Sequence, residues 1–373
     1  MHGWTSACFV AQLGDMASTS PPPFPSAAAA ATATARDAEW LAHRYDPVQD
    51  AVHLLPIPRA VHRTSIFLTE EHLPDDLEPL VLPRRAIAAA VPSAAPLHFV
   101  FHSAFCCSTL IARAFDRPGW AMGLKEPTIL NDLIGWRRRG DKGPDMASVL
   151  DDVLTLLARP FAPGEAVIVK PSNAINALAA PILTLRPEAR AVLLYAPLRT
   201  YLGSVAKKGI DGRLWVRVLL LGLLDDRLVD LGFAPRDYLG LTDLQVAAVG
   251  WLAQQMLFAR LVGQFGTDRV RTLDSEQLTG DPAGSMRRLA TLFGLPLDDA
   301  ALEAIVAGPA FTRHSKLEAE FGTADRAQEH RDAADTHADE IEKVLIWAQA
   351  VATTAGVAIT APGPLFDPAI DRA

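Results

Sequence analysis

Leu97 to Phe115 reads LHFVFHSAFCCSTLIARAF. The first five residues are apolar at four positions, as a strand buried on both faces should be. A short loop follows, then a helix that opens at Ser108-Thr109 and turns Leu110, Ile111, Ala114 and Phe115 inward. A strand–loop–helix of this kind aims free backbone N–H groups and the positive end of a helix dipole at one point. That point is an anion site, most naturally for phosphate. A plain β–α turn with a Ser/Thr cap reads the same way. GxxxxGK[ST] does not occur, which disfavours an ordinary ATP or GTP loop.

Four further runs resemble the first: Trp120–Leu124, Ala166–Lys170, Arg190–Tyr195 and Arg269–Asp274. Helical lengths separate them. Repeated β–α–β spacing predicts an α/β fold, a mainly parallel sheet flanked by helices, with Leu97–Phe101 central. Some helix ends are legible. Asp281-Pro282 supplies a cap and a first-turn proline, Met286, Leu289, Ala290 and Phe293 share one face, and Gly294 closes the helix. Ile341, Val344, Leu345, Ala348 and Val351 form another apolar stripe. Residues 18–36 are almost entirely Ser, Thr, Pro and Ala, so residues 1–38 read as a disordered tail. Residues 39–95 lack clear periodicity and read as an irregular extension on a main domain spanning 96–360.

Half of the 373 residues are hydrophobic and the formal charge is −8. A packed core is expected, and an acidic chain is a poor partner for nucleic acid. Three cysteines, two of them adjacent at Cys106 and Cys107, make no disulfide framework. No Cys/His cluster has zinc spacing. The densest apolar run, Val218 to Leu224, is far short of the ~20 residues of a membrane span. A reducing cytoplasm is the default expectation.

Three segments together carry a family resemblance. The first is CCSTLIARAF, Cys106 to Phe115. The second is AVIVKPSNAINALAAPILTLRPEARAVLLYAPLRTYLGS, Ala166 to Ser204. The third is LDSEQLTGDPAGSMRRLATLFGLP, Leu273 to Pro296. In this order they are similar to the sulfotransferase family, with its P-loop-type α/β fold. The resemblance implies 3′-phosphoadenosine 5′-phosphosulfate as sulfuryl donor. Phe105, Cys106, Cys107, Ser108 and Thr109 would then cradle the phosphosulfate, and Ser204 would meet the 3′-phosphate. The chain departs from the pattern at three places. Phe105 stands where the family has a basic residue, Cys107 where it has glycine, and Ala196 where it has the 3′-phosphate arginine. Arg199, at the next helix start, is the candidate substitute. Arg313, His314 and Lys316 match a late basic loop of the family, or form a solvated turn.

Sulfuryl transfer needs a base for the acceptor and a cation for the transferring group. Glu126 follows the second strand, and C-terminal ends of parallel strands face the ligand crevice. It reads as the base or as a carboxylate at a helix start. Lys170 ends the third strand and matches a family lysine. It is the candidate for the cation missing at Phe105, the alternative being a surface lysine. His102 is a rival base or a hydrogen-bonded structural residue. Arg137 to Arg139 read as a solvated helix end. The resulting expectation is a sulfotransferase acting on a hydroxyl or amine acceptor, whether small molecule, carbohydrate or lipid. A non-catalytic nucleotide- or partner-binding module is the alternative, and a phosphotransferase is disfavoured by the missing Walker lysine.

Overall fold

The computed structural model of the protein describes residues 26–140, 142–312 and 337–366. Part of the expected tail is structured. Ala27–Ala35 is a helix capped by Ser26, whose hydroxyl accepts from the Ala29 N–H at 3.2 Å. Alanine has the highest helix propensity, and its small side chain lets Ala30, Ala31 and Ala35 bury. Arg159 anchors the helix end by donating to the Thr34 carbonyl at 2.6 Å. The tail reading therefore fails from Ser26 onward, and residues 1–25 lie outside the described residues.

The extension is not irregular either. β1 (Trp40–Asp46), β2 (Ala51–Pro56) and β3 (Leu80–Pro83) form an antiparallel sheet in sequence order. Its periodicity is hidden for two reasons. A register shift between Ala42 and Arg44 interrupts the alternation, and Val52, Leu54 and Leu55 are buried on both faces. Arg84, fully buried, clasps Asp50 at 2.6 Å and also Asp152 on the helix Met146–Leu157. The small sheet is thereby fastened to the main body.

The main sheet has five parallel strands: β4 (Leu97–His102), β5 (Ala121–Lys125), β6 (Ala166–Lys170), β7 (Ala191–Tyr195) and β8 (Val270–Asp274). Their order is β5-β6-β4-β7-β8, which makes β4 central as expected. Every residue of β4, β5 and β6 is buried. The two faces are distinct. Phe99, Phe101, Leu124 and Val169 pack into one core, and Val100, Ala121, Ile168 and Leu194 into the other. The helix Ser108–Phe115 covers the second face. It lies so close to β5 that a Cβ on Gly123 would strike the Ala112 carbonyl. The outer edge of β8 is covered by the chain end, where Leu365 N–H donates to Thr272 O at 2.7 Å.

The expected helix Pro282–Phe293 is present, with the Asp281 carboxylate accepting from Gly284 N–H at 2.8 Å and Gly294 left-handed at φ 69°. The C-terminal stripe lies on the helix Ala338–Ala355, where Ile341, Val344 and Ala348 are buried. Among the described residues, only Asp243–Phe265 is long and apolar enough to cross a membrane. It is the buried centre of the helical layer, and apolarity on all sides is what that position requires.

Candidate functional site

The loop between β4 and its helix gathers three of the non-glycine residues with positive φ among the described residues. Ala104, Phe105 and Cys107 have φ of 71°, 52° and 66°, the left-handed region that side chains disfavour. Such conformations persist only where the surroundings over-determine them, and they concentrate at functional sites. The surroundings here are specific. Ser103 N–H donates to Leu194 O at 3.0 Å on neighbouring β7, and Cys106 Sγ donates to the same carbonyl at 3.4 Å. Ala104 N–H donates to His102 Nδ1 at 3.0 Å, and His102 Nε2 lies 3.0 Å from Pro171 O. With Nδ1 accepting, Nε2 carries the proton and donates. His102 is thus buried with both ring nitrogens engaged, and it shapes the loop.

The left-handed residues turn the chain into the helix Ser108–Phe115. Cys107 is its N-cap, and no side chain caps it. Ser108 and Thr109 are buried under this turn, while Phe105 and Cys107 are half-exposed. An uncapped helix start behind a left-handed loop presents N–H groups to an anion. Phe105 does not reach toward that point as a cation would. Its ring packs against Tyr201 and Trp215, with centroids 5.7 and 5.2 Å away.

The positive charge stands one strand over. β5 and β6 are paired with Lys125 opposite Lys170, so both lysines share the sheet face that carries the loop helix. Lys170 pairs with Glu126, and Glu126 N–H donates to Lys170 O at 2.7 Å. Glu126 is itself left-handed, at φ 54°, which swings its side chain back across the strand ends. Lys170 is 1% exposed, whereas the Glu126 side chain is 20% exposed. Pro171, next to Lys170, is the residue that His102 holds, so the pair and the loop are adjacent. The structure brings Glu126 and Lys170 together, and His102 links the strand end after Lys170 to the start of the loop.

It does not bring in the residues expected at the other end of a nucleotide. Arg199 lies at the exposed start of the helix Leu198–Lys207 and pairs with Glu342. Ser204 donates to the Thr200 carbonyl at 2.9 Å. Ala196 is fully buried, and its carbonyl accepts from Trp251 Nε1 at 2.8 Å. Arg313, His314 and Lys316 lie outside the described residues. Arg138 and Arg139 are exposed at their helix end, as expected, but Arg137 and Arg138 are also ion-paired. They close on Asp226, a buried carboxylate, at 2.8 and 2.6 Å. Nothing near them in sequence announces an acid so far along the chain.

Sequence reasoning missed Lys125. It is fully buried, and its ammonium donates to His62 O at 2.5 Å and Arg63 O at 3.1 Å. Burial pushes its pKa down to about 8, against the opposing pull of Asp116. The signal lies in the dipeptide Lys125-Glu126, two charges closing a buried strand.

No protein-family model and no curated protein matches the chain. Solved structures do. A sulfotransferase domain from the Synechococcus PCC 7002 olefin synthase is 15% identical, over 66% of this chain and 96% of that one, at a TM-score of 0.37. A sulfotransferase domain from the curacin biosynthetic pathway is 12% identical, over 65% and 98%, at 0.40. Sulfotransferase STF1 from Mycobacterium tuberculosis H37Rv is 14% identical, over 66% and 77%, at 0.38. The chain is similar to sulfotransferases. At these identities and TM-scores the likeness decides nothing about chemistry, and what the site can do is read from its own residues.

Proposed function

We propose that the chain transfers a sulfuryl group from 3′-phosphoadenosine 5′-phosphosulfate to a hydroxyl or amine acceptor. One observation carries the reading: a left-handed loop opening an uncapped helix beside a buried lysine–glutamate pair at neighbouring strand ends. The residues fit the 5′ end of the donor. N–H groups from Phe105 to Thr109 would hold the phosphate oxygens, and Lys170 would offset charge on the sulfuryl group and leaving oxygen. Glu126 would take the acceptor's proton while the acceptor oxygen or nitrogen bonds to sulfur. The bond from sulfur to the bridging oxygen breaks, and adenosine 3′,5′-bisphosphate leaves. To meet the 3′-phosphate, as the resemblance implies, Ser204 would have to leave Thr200 O and Arg199 would have to leave Glu342.

A non-catalytic nucleotide-binding module is favoured by a separate observation, the packing of Phe105 into an aromatic cluster where a cation is wanted. Two measurements separate the readings. Calorimetric titration should show adenosine 3′,5′-bisphosphate binding more tightly than ATP. Release of labelled sulfate to a panel of hydroxyl and amine acceptors should then be detectable. Binding without transfer to any acceptor supports the module, and binding of neither nucleotide removes both readings.

A further inference from the structure

Residues 39–95 carry none of the motifs above, yet they reach the candidate site. Between the helix Arg59–Thr64 and Leu68, the chain runs across the C-terminal ends of β5 and β6. The carbonyls of His62 and Arg63 receive Lys125 Nζ, as described. Leu68 is fully buried, its N–H donates to Lys125 O at 2.7 Å, and its carbonyl accepts from Thr128 Oγ1 at 3.1 Å. From the loop helix, Arg113 donates to Thr64 O at 3.4 Å. The strap is thus tied to the loop helix, to β5 and to the helix that follows β5. It delivers Phe67, whose ring centroid lies 5.1 Å from Lys170 Nζ on β6. The ring is held edge-on to His72 at 5.1 Å, and His72 Nδ1 lies 2.9 Å from Thr69 Oγ1.

We infer that Phe67 is a positioning residue for Lys170, and that the strap around it is a wall of the site. The inference rests on Lys170 as the cation of the proposed function. An ammonium on a four-carbon stem is a mobile point charge, and it has three donors to place. A carboxylate alone fixes one direction and draws the charge to itself. An aromatic face attracts the ammonium without accepting a strong hydrogen bond, so it restrains Nζ while leaving donors for an incoming oxyanion. The face also excludes water from a group only 1% exposed.

The test is acetylation of individual lysines by acetic anhydride, followed by mass spectrometry on the full chain. A cation–π contact of about 0.5–2 kcal/mol corresponds to roughly 2- to 30-fold in accessibility of the bound ammonium. Phe67→Leu keeps the apolar bulk and should raise the labelling rate of Lys170 within that range. Phe67→Tyr keeps the aromatic face and should leave it at the wild-type rate. Lys125, held by strap carbonyls, should not change in either variant. Unchanged labelling of Lys170 in Phe67→Leu overturns the inference. A parallel rise at Lys125 and Lys170 also overturns it, because it marks a strap that has come away. Neither readout needs turnover, so a chain that transfers no sulfuryl group would defeat the proposed function and leave the role of Phe67 to be decided by the labelling.

Discussion

Lys170 ends β6 and Glu126 follows β5, 44 residues apart, and they meet only because β5 and β6 are neighbours in register. Burial of an ion pair is poor evidence for stability, since desolvation offsets most of the attraction. In the proposed function the nearly inaccessible lysine and the more open carboxylate serve the transfer itself. If Lys170 stabilises developing charge, its removal should cost ~100-fold or more in rate. Lys170→Ala should lower kcat by that order and leave the affinity for adenosine 3′,5′-bisphosphate within a few-fold. Glu126→Gln should lower kcat similarly and change the shape of the pH profile, since the proton acceptor is gone. Turnover unaltered in both variants would remove the pair from the mechanism.

The loop and its helix are the element on which the anion site depends, and their strain makes a separate prediction. Cys107 at φ 66° and ψ 21° occupies the conformation glycine adopts freely. The left-handed region costs a side-chain-bearing residue about 1–2 kcal/mol, partly offset by the extra unfolded-state freedom of glycine. Cys107→Gly should therefore raise stability by up to about 1 kcal/mol, read as a higher urea midpoint at constant m-value. Cys107→Val should lower it, because a β-branched residue fits that region worst. A destabilised glycine variant would show that contacts of the thiol outweigh the backbone strain. The same element shows what could be read beforehand. The strand run, the helix start and the aspartate-capped helix at Pro282 were all legible because local pattern and tertiary role agree there. The strained φ values were not, since Ala104, Phe105 and Cys107 are poor left-handed residues and only neighbouring strands hold them so. The strap and its Phe67 were illegible for a related reason. Main-chain carbonyls do the holding, and main chain has no sequence signature. The small antiparallel sheet escaped because a register shift and two-sided burial erase the period of two.

At the scale of the molecule, a buried arginine ties the N-terminal sheet to a helix of the main body. Arg84 has two acidic partners and no exposure of its own. Arg84→Met should cost roughly 3 kcal/mol, the lower end for breaking a buried pair, because Asp50 and Asp152 keep some solvent. A loss below about 0.5 kcal/mol in urea unfolding would show that this clasp does not fasten the small sheet to the main body. His62 makes the pH-dependent counterpart. It is fully buried against Phe161, and neither ring nitrogen has a hydrogen-bond partner. Burial, with Lys125, Arg159 and Arg59 nearby, pushes its pKa down to about 3, from 6.5 in the unfolded chain. Burial likewise takes His98, beside Arg190, down to about 4. Between those values and 6.5 the unfolded chain binds more protons than the folded one, so stability rises with pH across the window. The contribution is complete above pH 6.5 and is lost as pH falls toward the folded values. From pH 7 to pH 5, each imidazole should withdraw about 2 kcal/mol. His62→Leu removes one titrating group, and it also removes two buried polar atoms that have no hydrogen bond to lose. Urea unfolding at the two pH values should therefore show the variant losing about 2 kcal/mol less than wild type on acidification. Equal losses in the two proteins would mean that His62 reaches solvent in the folded state, and that the strap beside Lys125 is open rather than closed.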